Sequence, residues 1–171
     1  GYHSPCPESD TAYYDVYLIE IGNGLKGDVY YGATSVDAEV YPRKIFPRYY
    51  SYIVLDNDYS PNDMTIDDDK TYRTFTTTGI DGMKVSVAHE FSHAVQFMYG
   101  TPYSNMFSIN EMMSVYMENK MFPQSKDFLQ YIRAMFKEFY KYPFGKGTAD
   151  IGYSWVIYFH FVDLFFGELI L

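Results

Sequence analysis

Two histidines flank a glutamate in the run Val87-Ala-His-Glu-Phe-Ser-His-Ala-Val95, which puts His89 and His93 at helical positions i and i+4 with Glu90 beside the first. On a helix that spacing projects both imidazoles from one face, where they can reach a single tetrahedral metal. The Glu90 carboxylate then lies where it can take a proton from a water that the metal activates. Apolar residues recur at helical spacing through Met83, Val87, Phe91, Ala94, Val95 and Met98, and they predict a helix buried beneath a cleft. The bland alternative has one histidine filling a core position and the other facing water. With only four histidines in the chain, an accidental bracket around a glutamate is the weaker reading.

A catalytic zinc takes three protein ligands and keeps one position open. Glu111, in Ser108-Ile-Asn-Glu-Met-Met-Ser114, is the first candidate for the third, because the chain turns at Gly100-Thr-Pro102 and re-enters a helical pattern there. Two alternatives stay open. Ser108 and Glu111 also fit a capping box, in which Glu111 merely satisfies a helix N-terminus, and Glu118, one heptad later, competes as the ligand.

Taken together, His89-Glu-Phe-Ser-His93 and Asn110-Glu-Met-Met-Ser114 resemble the gluzincin zinc metallopeptidases, in which the third ligand is a glutamate near the start of the next helix. Thermolysin-like members carry N-E-x-x-S-D there and aminopeptidase-N-like members L-N-E-G-x-A. The chain matches both at Asn110 and Glu111, and the thermolysin-like form at Ser114. It departs at Val115, where the thermolysin-like pattern has an aspartate that orients one ligand imidazole, so another residue must fill that role or metal affinity falls. More widely the chain is similar to a group of secreted bacterial gluzincin-like proteins. It shares with them Tyr14-Asp-Val-Tyr17, Ile53-Val-Leu-Asp-Asn-Asp58 and the A-H-E-x-x-H-x-x-Q pattern from Ala88 to Gln96, in that order.

The resemblance implies a zincin-like fold, Zn²⁺ on His89, His93 and Glu111, Glu90 as general base, hydrolysis of a peptide or protein substrate, and a secreted or cell-surface location. Tyr153, in Gly152-Tyr-Ser-Trp155, resembles the oxyanion-binding tyrosine of the aminopeptidase-N-like Y-x-K-G pattern, although the Lys and Gly are absent. With 20 tyrosines in the chain, packing is an equally serious role for it. His160 is a second candidate donor whose ordinary reading is a core histidine. A non-catalytic zinc-containing binding or surface protein on a gluzincin fold is the alternative to a peptidase.

Other side chains carry weaker signals. The acidic stretch from Asp56 to Asp69 offers hard oxygen ligands for Ca²⁺, but it lacks EF-hand spacing and reads better as a solvated loop. Cys6 stands alone, without a partner for a disulfide or a thiolate metal site. Gly22-Asn-Gly24 lacks the third glycine and the lysine of a phosphate-cradling loop.

The elements that must position these residues follow from composition and period. Residues 13–21, 28–31 and 50–55 have the aromatic and β-branched bias of strands. Helical periodicity begins after Gly79-Ile-Asp81, with Asp81 as N-cap, and further helices are expected over 109–120, 125–141 and 150–166. Strands first and helices second is an α+β order. The expected architecture is an N-terminal mixed sheet packed on the active-site helix, followed by a helical half. All 171 residues are expected to form one catalytic domain. Substrate is expected to lie extended along an edge strand, the one ending at Leu55, using main-chain hydrogen bonds.

A net charge of −9 argues against nucleic acid or anionic membranes as partners. The apolar C-terminal stretch from Gly152 carries His160, Asp163 and Glu168 and reads as a core helix, with no transmembrane segment. The apolar ending at Leu171 suggests an excerpt of a longer chain.

Overall fold

The computed structural model describes residues 13–22, 31–40, 47–67, 70–100, 107–144 and 148–167. Cys6, the start of the expected strand at 28–30, Asn23 and Gly24, the turn at 101–102 and the end of the chain at 168–171 lie outside them. The protein is a mixed α and β structure that divides into two compact units, Gly1–Pro102 and Tyr103–Leu171.

The first unit is built on a small mixed sheet in the order β1-β3-β2, with β1 at Val16–Ile19, β2 at Gly32–Glu39 and β3 at Tyr49–Asp56. Strand β1 runs parallel to β3, pairing Val16 with Ile53 and Ile19 with Asp56. Strand β2 runs antiparallel on the other side, pairing Gly32 with Leu55. The strand ending at Leu55 is therefore central, and the expectation that it forms the open edge is corrected. A separate hairpin pairs β4 (Met64–Asp67) with β5 (Lys70–Arg73). Sequence reading had assigned this segment to a solvated acidic loop. Instead Asp56 and Asp63 are buried, and Thr65 and Thr74 share a hydroxyl hydrogen bond of 2.9 Å across the hairpin.

Helix α1 (Gly79–Gln96) packs on β2 and β3. Alternation along β3 sends Ser51, Ile53 and Leu55 inward, and Ile53 and Leu55 form a core cluster with Ala94, joined by Tyr14. The face of α1 that is buried is made of small residues, Gly82, Ser86, Ala88, Ser92 and Ala94, with Val85 and Glu90. Of the apolar stripe read from the sequence, Ala94 and Met98 are buried but Val87 and Phe91 are exposed, so the stripe coincides only in part with the buried face. Large inward side chains on β3 leave room only for small ones on the helix. The N-cap is Thr78, not Asp81, which sits in the first turn and pairs with Lys84 at 3.1 Å.

Where β1 and β3 end, Asp56 holds the chain together. Its Oδ2 accepts the amides of Ile21 (3.1 Å) and Gly22 (2.9 Å), and its Oδ1 those of Asp58 (3.0 Å) and Tyr59 (2.6 Å). Burial by itself would raise this carboxyl, and the four amides reverse the effect, holding it below the ordinary aspartate value. Tyr59 adopts a positive φ of 50°, a backbone conformation costly for an aromatic residue. Its ring is fully buried against Phe75, and its hydroxyl donates to Tyr31 O at 2.7 Å.

The second unit is helical: α2 (Phe107–Met121), α3 (Leu129–Lys137), a short 3₁₀ turn (Phe139–Lys141), α4 (Ala149–Ser154) and α5 (Val156–Phe166). The expected helix at 125–141 is thus shorter, and that at 150–166 is broken at Trp155, whose indole N–H donates to Tyr142 O at 2.7 Å. Val115, Tyr116 and Val156 form the core, with Phe128, Tyr131, Ile132 and Tyr153 packed around them. No described helix is long and apolar enough to cross a membrane.

Candidate metal centre

Helix α1 carries His89 and His93 on one face, with their Nε2 atoms 3.1 Å apart and their rings at 72°. Two nitrogen ligands on a tetrahedral zinc, each at its usual bond length, lie about 3.3 Å apart. The pair is therefore already spaced as two ligands of one ion. Two bare Nε2 lone pairs facing each other repel, so the arrangement calls for a shared proton or a cation between them.

The orientation of His93 has a clear cause. Its Nδ1–H donates to Oε1 of Gln96 at 3.0 Å, and the Gln96 amide is fixed in turn by donating to Ser92 Oγ at 3.3 Å. This places the ring proton on Nδ1 and leaves the Nε2 lone pair for a metal. Gln96 thus fixes the orientation of the His93 ring. Val115 is fully buried in the apolar core of the second unit, where a carboxylate would be stranded without water. The signal for Gln96 was legible as the last letter of its motif, three residues beyond His93, but its partner was not.

Glu90 is 6% exposed and lies under β2. Thr34 Oγ1, on β2, approaches Glu90 Oε2 at 2.8 Å and the Glu90 main-chain oxygen at 2.7 Å, so its one proton is shared between them. Gly32 allows this closeness, since a Cβ there would lie 3.1 Å from Glu90 Cγ and 3.0 Å from Val54 O. Sequence reading missed Thr34 altogether, because nothing local marks a threonine whose partner is far along the chain. Tyr14 lies on the same side of the unit, its hydroxyl 2.8 Å from Ser51 Oγ. Burial pushes its phenol up to about 12, with the Glu90 and Asp15 carboxylates adding and the Ser51 hydroxyl opposing.

Glu111 sits in α2 of the second unit, 5% exposed. Because α2 already includes Phe107 and Ser108, Ser108 lies inside the helix, and the capping-box reading is corrected. Glu118 is buried on the same helix. A Cβ at Gly152 would meet Ser108 O and lie 2.8 Å from Glu111 Cβ, so only glycine lets α4 rest on α2 beside Glu111. Tyr153 follows directly, half-buried and packed on Tyr131 with ring centroids 4.9 Å apart. His160 lies between Tyr116 (5.2 Å) and Phe128 (5.1 Å), and its Nε2 has no hydrogen-bond partner among the described residues.

Burial pushes the His160 imidazole below the ordinary histidine value, Asp163 opposes this, and Lys120 reinforces it. A histidine depressed in the folded state is bound to fewer protons there than in the unfolded chain, so stability falls as pH drops through the ordinary histidine range. Urea unfolding at pH 7 and pH 5 should show wild type losing more stability than His160→Phe, by at most about 1.4 kcal/mol per pH unit between the two pKa values. Equal losses would mean that His160 takes up its proton as readily in the folded protein as in the unfolded chain.

Compared with protein-family models, curated proteins and solved structures, the chain matches none.

Proposed function

We propose that the protein is a zinc-dependent peptidase in which His89, His93 and Glu111 hold the metal and Glu90 is the general base. The facing Nε2 atoms of His89 and His93, with Gln96 fixing the tautomer of His93, carry this reading. Glu111 is the proposed third ligand because it follows the histidines in gluzincin order and its carboxyl is buried. When bound, zinc polarises the scissile carbonyl and lowers the pKa of water. Glu90, steadied by Thr34, takes the proton from that water and passes it to the leaving amine. Tyr153 or His160 is the proposed donor to the developing oxyanion. An extended substrate would pair with the outer edge of β2, the edge strand that touches Glu90. A zincin-like fold and a secreted or cell-surface setting belong to the same proposal.

Protein dialysed against zinc and then against buffer should retain close to one zinc per chain by elemental analysis, and His93→Ala should retain almost none. Glu111→Gln should lose affinity while Glu118→Gln holds zinc as wild type does. Wild-type zinc content in His93→Ala would place the metal elsewhere, and the reverse order for the two glutamates would move the third ligand to Glu118. A second reading, a zinc-containing binding protein without turnover, is favoured by the packing of Tyr153 on Tyr131. Zinc-loaded protein inert on a broad peptide library would support it.

A further inference from the structure

The first unit holds a second group of metal-ligating side chains, Glu20, Asp56 and Asp63, in which one carboxylate oxygen from each lies within 4.8 Å of the others. Two of the three are removed from solvent, Asp56 at 0% and Asp63 at 6% exposure. Asp56 has all four lone-pair directions occupied by amides, which fixes its rotamer and makes it a rigid negative centre. Asp63 differs. Its Oδ2 is buried and has no hydrogen-bond partner among the described residues, yet it faces a neighbour of like charge. Gly22 lies between the two aspartates, giving its amide to Asp56 while a Cβ on it would sit 2.6 Å from Asp63 Oδ2.

A buried carboxylate oxygen without a donor and beside a second carboxylate is costly unless a proton or a cation neutralises it. Oxygen is the only donor type in the cluster, which suits a hard cation over zinc. We propose that Asp63 and Glu20 bind a Ca²⁺ ion at the junction of β1, β3 and the β4–β5 hairpin, with Asp56 supplying a fixed negative charge beside it. Main-chain carbonyls and water complete the six to eight oxygens that calcium takes. Two protein carboxylates place the affinity at about 10⁻⁴–10⁻³ M, the range of extracellular modules. Burial, together with the charges of Asp58 and Asp56, pushes the Asp63 carboxyl above its ordinary value. This site is independent of the proposed zinc centre and stands or falls separately.

The test uses the whole chain, freed of metal with a chelator and dialysed, in a His93→Ala background that removes the zinc centre. Thermal unfolding and calorimetric titration at pH 7.5 with CaCl₂ should show a saturable rise in Tm and binding with Kd of about 10⁻⁴–10⁻³ M. Asp63→Asn should unfold at a higher temperature than its parent in the absence of calcium, because it relieves the unpaired charge, and should gain nothing from calcium. Glu20→Gln, an exposed substitution that leaves the fold intact, should weaken calcium binding at least several-fold. A parent protein indifferent to 10 mM CaCl₂, an Asp63→Asn protein with the parent's calcium response, or an equal response to MgCl₂ would each overturn the assignment.

Discussion

Glu90→Gln should keep its zinc and lose hydrolysis by about two to four orders of magnitude, the usual effect of removing a general base. The substitution is close to isosteric, and the retained side-chain oxygen can still accept from the Thr34 hydroxyl, so β2 keeps its hold on α1. Neither imidazole is touched, and Gln96 still fixes His93. The variant therefore separates proton transfer from metal binding and from folding. Zinc content, far-ultraviolet circular dichroism and turnover of a peptide that wild type cleaves should be compared in one experiment. Equal turnover by the two proteins would remove Glu90 from the mechanism, while loss of zinc in Glu90→Gln would show it to be part of the metal's own coordination.

The largest effect on stability is expected at Asp56. Removing the carboxylate in Asp56→Ala strands the buried amides of Gly22 and Tyr59 and deprives the part-buried amides of Ile21 and Asp58 of their acceptor. It also releases Tyr59 from the contact that keeps it at a positive φ. Hydrogen bonds to charged groups contribute more than neutral ones, and orphaned buried donors carry the full desolvation penalty, so a loss of about 3–5 kcal/mol is expected. Asp56→Asn, which keeps one acceptor oxygen, should lose about half as much. The carboxyl is depressed in the folded state, so its contribution is present above the ordinary aspartate value and is lost as pH falls through the lowered folded value. Chemical denaturation of both variants at neutral pH measures the ordering, and an Asp56→Ala protein within 1 kcal/mol of wild type would contradict it.

How much of this was legible in the sequence depended on how far apart the partners lie. His89 and His93 could be paired because helical geometry brings i and i+4 together without help from the rest of the chain. Strand β3 was visible because Tyr50-Ser-Tyr-Ile-Val-Leu55 has the aromatic and β-branched bias of a strand. Strand β2 was missed, the expected strand ending at Tyr31 just before it, since Gly32, Ala33, Thr34 and Ser35 have the composition of a loop and become a strand by pairing with β3. Thr34 could not have been tied to Glu90 before that pairing was known. Asp56 and Asp63 looked solvated because charge is usually outside. Asp56 is satisfied in its buried position by amides of residues 21 and 22, more than thirty positions earlier. Helix lengths were overdrawn where composition stayed helical, through Phe139–Lys141 and across Trp155, because a tertiary contact and not a breaker residue ends the run there.

The parallel pairing of β1 with β3 also sets an order of events during folding. Val16 must find Ile53 across the whole intervening chain, whereas β2 and β3 meet antiparallel and α1 follows β3 through a short hairpin. Closing the longer loop carries the greater entropic penalty, so β1 is expected to join last. Until it does, the outer edge of β3 lies open, and β1 itself presents Val16, Tyr17, Leu18 and Ile19, four apolar residues that stay exposed even in the finished fold. An unpaired edge next to a free apolar strand is the circumstance in which chains join one another in place of folding alone. In the finished fold the amides that Ile21 and Gly22 give to Asp56 tie the end of β1 to the end of β3, which opposes its release and such cross-chain pairing.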